Sequence, residues 1–433
     1  MGQRDGGDDV LVVGAGAAGL ACAADLVAGG LRVSLLETAG TVGGRMRTDR
    51  VAGFTVDRGF QVFNTAYPQV KRRLDLRALR LRPFTPGVLV HTDDGPRRFT
   101  DPTRRLRESR DLLPGRLAST RDLLALGALS ARDLLAPARY LRTRPDATTL
   151  TALADAGVSP DLVETFFRPF LSGVFLEDEL ETSARFFHLV WRTMLRGTLC
   201  LPAEGIGAVP AQLASGLPPG VLRTGLPVAS LTDRGVTLAD GSELAARAVV
   251  VATGQRAAAR LLPGLDVPSG RVVTTLYHAA ERSPLPEPTL VVDARRRFLN
   301  SCVLTEVHRG FATDGRALVS TSVLGDPDPE REAAVRAALA EVYDTDTRSW
   351  EPVHRVAVHD ALPAMPPPLP LSRTTRFAPG RYVCGDHRAT GSLQGALASG
   401  ARAAREVLAD LRRRPPATGP TALASAPAPP NPA

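Results

Sequence analysis

Gly14, Gly16 and Gly19 stand at G-x-G-x-x-G spacing directly after the apolar run Val10 to Val13. Glycines so spaced let a backbone turn tightly and come close to an anion, and the first amides of the helix that follows supply donors for a phosphate. Gly14 permits the turn, Gly16 the close approach beside Ala18, and Gly19 the packing of helix against sheet. Glu37 closes the next apolar stretch, about 20 residues on, where a carboxylate can accept both hydroxyls of a ribose. A lone glycine turn is often only structural. Strand, turn, helix, strand and acid in this order point to a bound dinucleotide.

The elements that must hold these residues are legible around them. Val10 to Val13 reads as a strand, Ala17 to Ala28 as a helix and Leu31 to Leu36 as a second strand, which makes a βαβ unit at the start of the chain. From about Arg77 to Gly197 the pattern changes: a turn at Asp93-Asp94-Gly95 precedes leucine- and arginine-rich helical stretches. Strand-like runs return near Val228 and at Ala248 to Ala252, with the Asp240-Gly241 turn between them. Short strands such as Val272 to Tyr277 and Ala317 to Val323 then accompany a helix at Arg331 to Tyr343. Arg381 to Cys384 is a strand, Gly385-Asp386 a turn, and Gly395 to Leu411 an amphipathic helix. The chain is therefore expected to be an α/β protein with a discontinuous nucleotide-binding domain, residues 9–76, 197–256 and 380–412. A mixed α+β domain, residues 77–196 and 257–379, is inserted into it to take the substrate. The Pro- and Ala-rich tail at 413–433 has too little apolar surface to order itself.

The segment Gly43-Gly44-Arg45-Met46-Arg47-Thr48 narrows the dinucleotide. It resembles the GGR-x-x-S/T element of the flavin amine oxidase and phytoene desaturase-like superfamily, a Rossmann-like fold that binds FAD. The resemblance continues in Asp57-Arg58-Gly59-Phe60-Gln61, similar to a D-x-G segment beside the flavin, and in Leu201-Pro202 through Gly205, Gly207 and Pro210. It ends in Cys384-Gly385-Asp386 and Gly391-Ser392-Leu393-Gln394-Gly395-Ala396. It implies that Gly43, Gly44 and Arg45 meet the second phosphate, that the backbone of Val228 holds adenine, and that Asp386 meets the ribityl chain. Ser392 and Leu393 would bring a helix N-terminus to the flavin ring, where it stabilises negative charge. Ala39 replaces an arginine often found in the family, which removes one contact.

The implied activity is hydride transfer from a C–H bond of a largely apolar, lipophilic substrate to flavin N5, with oxygen or a quinone as the electron acceptor. Many amine oxidases of the family place a lysine near N5. Here Val272 to Tyr277 has none, and Lys71 is the sole lysine of the chain. A flavin-dependent isomerase and an amine oxidase stay as alternatives, and a non-catalytic Rab-escort or GDI-like binding protein is an alternative of another class. Substrate-side candidates are Arg47, Phe60, Gln61, Tyr277, Trp350 and His387, of which Tyr277, His387 and Gln61 are the candidates for catalysis. Tyr277 and Trp350 read equally as core, and His387 as a turn cap.

Composition excludes other classes. The formal net charge of +8 is carried almost wholly by arginine, with only 5% aromatics, which argues against a nucleic-acid-binding face. Cys22, Cys200, Cys302 and Cys384 are scattered without metal-ligand spacing, so no metal is expected and a reduced, cytoplasmic chain is. No apolar run is long enough to span a bilayer. The stretch Arg104 to Arg144, with Leu112, Leu113, Leu123, Leu124, Leu134 and Leu135 among arginines, has two readings: a helical core with a solvated face, or peripheral contact with anionic membrane.

Overall fold

The computed structural model describes residues 8–100 and 118–413. Asp8–Val13 lies parallel between Val33–Leu36 and Glu243–Val251. Leu222–Arg223 extends the sheet beyond the first of these and Arg381–Val383 beyond the second, both in parallel. Parallel strands covered on both faces need continuous apolar sequence. Val10 to Val13 and Ala248 to Val251 meet that need and are buried throughout.

Helix Ala17–Ala28 covers one face of this sheet, and the long helix Leu393–Arg413 packs on it. Their close approach depends on Gly400, where a Cβ would stand 2.1 Å from the carbonyl oxygen of Ala18. Leu20, Leu26, Val12, Leu35 and Val407 form the core between these layers. The nine-residue strand Glu243–Val251 is shared, because its first half pairs antiparallel with Gly235–Leu238, which in turn pairs with Val228–Thr232.

A second, seven-stranded sheet runs in the order Glu351–Pro363, Gly270–Ala280, Ala317–Leu324, Asn300–Val303, Leu290–Asp293, Val88–Thr92, Gly95–Phe99. Only Leu290–Asp293 and Val88–Thr92 pair in parallel, and this pairing joins two distant stretches of chain. Helices Thr120–Leu135, Arg168–Phe175 and Ala184–Arg196 close over Val88, Val90 and Val292 through a core rich in phenylalanine, including Phe166, Phe167 and Phe187. Helix Pro329–Val342 contributes Val335 and Leu339 to a separate core with Leu276 and Trp350.

Most element positions agree with the sequence reading, and the differences have local causes. Helix Ala17–Ala28 has the expected bounds. The strand after it begins at Val33, because Gly30 turns at φ +84° and the Leu31 N–H bonds back to Leu26 to close the helix. The helix expected from Arg331 starts at Pro329, where the Asp328 carboxylate accepts from the Arg331 N–H as an N-cap. Leu112, Leu113 and the tail at 414–433 lie outside the described residues. No helix among the described residues is long and apolar enough to cross a membrane.

Candidate cofactor and active site

The glycine turn after the first strand is built as its spacing demands. Gly14 sits at φ +104°, and a Cβ on Gly19 would stand 1.9 Å from the Gly14 carbonyl oxygen, so both positions are fixed by packing. Gly16 differs, because a Cβ there would meet no protein atom within 4 Å. It precedes the first residue of helix Ala17–Ala28, where unpaired amides and the helix dipole favour an anion. The glycine that is free of packing constraint is thus the one whose backbone faces open space at a helix N-terminus.

The second glycine pair lies against the first loop. The Gly43 N–H donates to the Ala15 carbonyl at 2.9 Å, and Gly43 and Gly44 adopt φ of +120° and +59°. A Cβ on Gly44 would lie 3.6 Å from the α-carbon of Gly16, so the two loops face each other. Glu37 sits beside them with both carboxylate oxygens engaged: Ala15 N–H donates at 2.8 Å and Ala39 N–H at 2.9 Å. Its carbonyl accepts from the Leu226 N–H at 2.9 Å, which draws the segment leading to Val228 alongside. Gly14, Gly16, Ala18, Gly19, Glu37, Gly43, Gly44 and Val228 therefore belong to one region.

Arg45 extends this region toward the chain's end. Its guanidinium donates to the Asp386 carboxylate at 2.7 Å and to the carbonyls of Ala361 and Asp360 at 2.8 and 3.2 Å. It ties the glycine loop at once to the closing segment and to the last strand of the seven-stranded sheet. Gln61 donates to the Arg45 carbonyl at 2.8 Å and so holds the same loop from the D-x-G segment. Ser392 caps helix Leu393–Arg413, its hydroxyl accepting from the Gly395 N–H at 3.1 Å.

The half-buried carboxyl of Asp57 is the structural hub of the D-x-G segment. It accepts from the Thr48 hydroxyl at 2.5 Å and the Ile206 N–H at 3.0 Å, while Thr48 in turn accepts from the Gly207 N–H at 2.9 Å. Burial pushes its pKa up to about 6, against the opposing pull of those two hydrogen bonds. Gly205 is required here, since a Cβ would come within 2.7 Å of the Asp57 carboxylate.

These loops fit FAD: two facing glycine turns, a carboxylate at the end of the second strand and a helix N-terminus with open space before it. The flavin-containing amine oxidoreductase family matches residues 17–408 of the chain. The chain belongs to that family. It is an FAD-dependent oxidoreductase with the α/β fold of its relatives. Protoporphyrinogen oxidase 2 of Arabidopsis thaliana is 42% identical over 74 residues, a match spanning 17% of this chain and 15% of the plant protein. Cyclohexylamine oxidase from Brevibacterium oxydans shares the fold with a TM-score of 0.67 at 18% identity, over 94% of this chain and all of that one. An oxidoreductase from Methanosarcina mazei does so with a TM-score of 0.69 at 17% identity, over 92% of this chain and 99% of its own.

The structure distributes the remaining candidates of this flavin oxidoreductase unevenly. Phe60 joins the cofactor loops to an apolar cluster, meeting Phe84 edge-on at 6.1 Å, and its N–H donates to Thr275 at 3.1 Å. Tyr277 is buried and its hydroxyl donates to the Asp57 carbonyl at 2.7 Å, which fixes the D-x-G segment from behind. Trp350 lies in the core under helix Pro329–Val342, beside Tyr343. Arg47 bonds Thr41 at the exposed rim. His387 is buried next to Asp386, and neither ring nitrogen has a hydrogen-bond partner. Burial drives its pKa down to about 4; Asp386 opposes this, and Arg388, Arg45 and Arg373 add to it, so the ring is neutral at physiological pH. Lys71 is exposed on helix Pro68–Arg73.

Sequence reasoning missed the carbonyls of Asp360 and Ala361 as partners of Arg45. They are backbone atoms more than 300 residues away, and no side-chain signal marks them. The Thr48–Asp57–Gly207 network had a weak signal in the glycines at 205 and 207, whose spacing fits a loop pressed against a side chain.

Proposed function

We propose that this flavoenzyme dehydrogenates or desaturates a largely apolar organic substrate at a C–H bond beside the flavin. The observation that carries the reading is the path from the cofactor loops into an apolar cluster. Gln61 bonds the Arg45 carbonyl, and its neighbour Phe60 packs on Phe84 against the cluster that holds Phe54 and Leu304. An ionised substrate group would lose its hydration there without a partner. Thr274 and Thr275 occupy the strand where relatives that use a lysine would carry it, and both hydroxyls are engaged, with the Gly325 carbonyl and the Phe60 N–H. This supports chemistry without a lysine-held water.

When bound, FAD would supply a hydride acceptor at N5, with oxygen or a quinone as the final electron acceptor. The chain's residues supply binding and orientation. Gly14, Gly16, Gly43 and Gly44 would offer backbone amides to the diphosphate, Glu37 would take the ribose hydroxyls, and Val228 would hold the adenine. Arg45 and Asp386, paired at 2.7 Å, would hold the closing segment against the ribityl chain, and the capped start of helix Leu393–Arg413, at Ser392 and Leu393, would favour negative charge on the ring. The neutral ring of His387 keeps that surrounding free of an added cation. Residues 9–76, 197–256 and 380–412 form the FAD-binding unit on this reading, and 77–196 with 257–379 the substrate unit.

Anaerobic titration of the purified yellow protein with lipophilic polyenes and with amines tests the proposal. Bleaching of the flavin by an apolar hydride donor supports it. Bleaching by charged amines alone overturns it, and substrate rearrangement without consumption of any acceptor identifies an isomerase.

A further inference from the structure

We propose that helix Thr120–Leu135 is a docking surface for an anionic lipid bilayer and lies in the plane of the membrane. Leu124 and Leu135 are 70% and 78% exposed, the largest values among the exposed large hydrophobic side chains of the described residues. They are eleven positions apart, which at 100° per residue returns to the same side of the helix, about 16 Å farther along. Between them on that side lie Gly127, Ala128 and Ala131, all exposed and uncharged. A flat apolar stripe with a protruding leucine at each end results.

The exposed charge of the helix itself is one-sided. The helix has two acids, and both are turned inward: Asp122 is 3% exposed and Asp133 is fully buried. Asp122 is consumed by Ser119 and Ser159, and Asp133 by His188 and Arg132. Exposed Arg121 flanks the stripe at its start. Just beyond its end Tyr140, 48% exposed, stands between exposed Arg139 and Arg142, with the Arg144 guanidinium 5.7 Å from its ring centroid. Apolar side chains backed by arginines, with the helix's own acids withdrawn, match the boundary between acyl chains and anionic headgroups. A solvated surface helix carries charged and polar side chains on its outer face, whereas this stripe from Leu124 through Gly127, Ala128 and Ala131 to Leu135 carries none.

Co-sedimentation of the full chain with unilamellar vesicles tests the proposal. At low salt the protein pellets with vesicles containing phosphatidylglycerol and stays in solution with pure phosphatidylcholine; raising the salt releases it. The double variant Leu124→Glu, Leu135→Glu lowers the bound fraction at least tenfold while its flavin spectrum and thermal melt match the parent. Failure of the parent to pellet with anionic vesicles overturns the proposal. So does equal binding by the double variant, or a concentration-dependent dimer that the double variant abolishes in the absence of vesicle binding, which would make a second copy the occupant.

Discussion

Replacing Gly16 with valine separates cofactor binding from folding in a way that replacing its neighbours does not. Gly16 sits at φ −75°, ψ 178°, an extended conformation that a β-branched residue adopts without strain. Its Cβ meets no protein atom within 4 Å. The cofactor-free fold should therefore keep its stability to within about 0.5 kcal/mol, or gain about 0.4–1 kcal/mol from a less flexible unfolded chain. On the proposed cofactor placement, the isopropyl group would fill the open side before the helix N-terminus and remove at least one charged hydrogen bond from the backbone, worth about 1.5–3 kcal/mol. FAD affinity should fall by roughly tenfold to 150-fold. Gly19→Val is the contrast: its Cβ collides with the Gly14 carbonyl at 1.9 Å, so it should lose about 3 kcal/mol or more of stability before any question of binding arises. The assay pairs urea melts of the deflavinated proteins with FAD titration followed by flavin fluorescence. Parental FAD affinity in Gly16→Val, or a melt shifted as far as that of Gly19→Val, would refute the reasoning.

Three further variants probe the same geometry. Glu37→Gln cannot accept from both Ala15 and Ala39, and losing one charged hydrogen bond should weaken FAD roughly tenfold in the same titration; an unchanged affinity contradicts the ribose role. Asp57 has a folded pKa near 6, above the usual carboxylate value of 3.8, so its stabilising contribution is complete below about pH 4 and is lost as pH rises through 6. The stability of the parent relative to Asp57→Asn should drop by about 3 kcal/mol between pH 4 and pH 7, and a flat difference in urea melts would exclude this. His387 is shifted the other way, from 6.5 to about 4, so its contribution is complete above about pH 6.5 and is lost as pH falls through 4. The parent should lose about 3 kcal/mol over that window relative to His387→Phe, and parallel acid melts would show that the ring is not held neutral.

The parts of the fold that the sequence made legible are those governed by local rules. Gly14 and Gly16, followed by an alanine-rich helix, specify a strand–turn–helix on their own, and the apolar run at Ala248 to Val251 announces a strand buried on both faces. The position of Glu37 was legible because it depends only on ending the second strand, and its carboxylate meets the first glycine loop at Ala15. Long-range pairings were not. The Arg45 guanidinium carries the charge expected of the GGR element, yet its visible partners are the Asp386 carboxylate and two backbone carbonyls, which only tertiary structure brings together. Tyr277 and Trp350 have similar hydropathy and similar strand-rich surroundings in sequence. Register on the seven-stranded sheet turns the Tyr277 hydroxyl toward Asp57, whereas Trp350, in the turn before strand Glu351–Pro363, packs beneath helix Pro329–Val342. Within the Leu/Arg stretch, helix Thr120–Leu135 sorts its leucines by angle: Leu129 faces the core and Leu124 faces outward.

The central claim, that these loops hold FAD for redox chemistry, is tested most directly by purifying the protein without added cofactor, recording its visible spectrum and releasing any ligand with acid. The predicted result is a yellow protein with flavin absorption bands that yields FAD. A colourless protein that also fails to take up added FAD would contradict the claim and favour a non-catalytic binding protein built on the same fold.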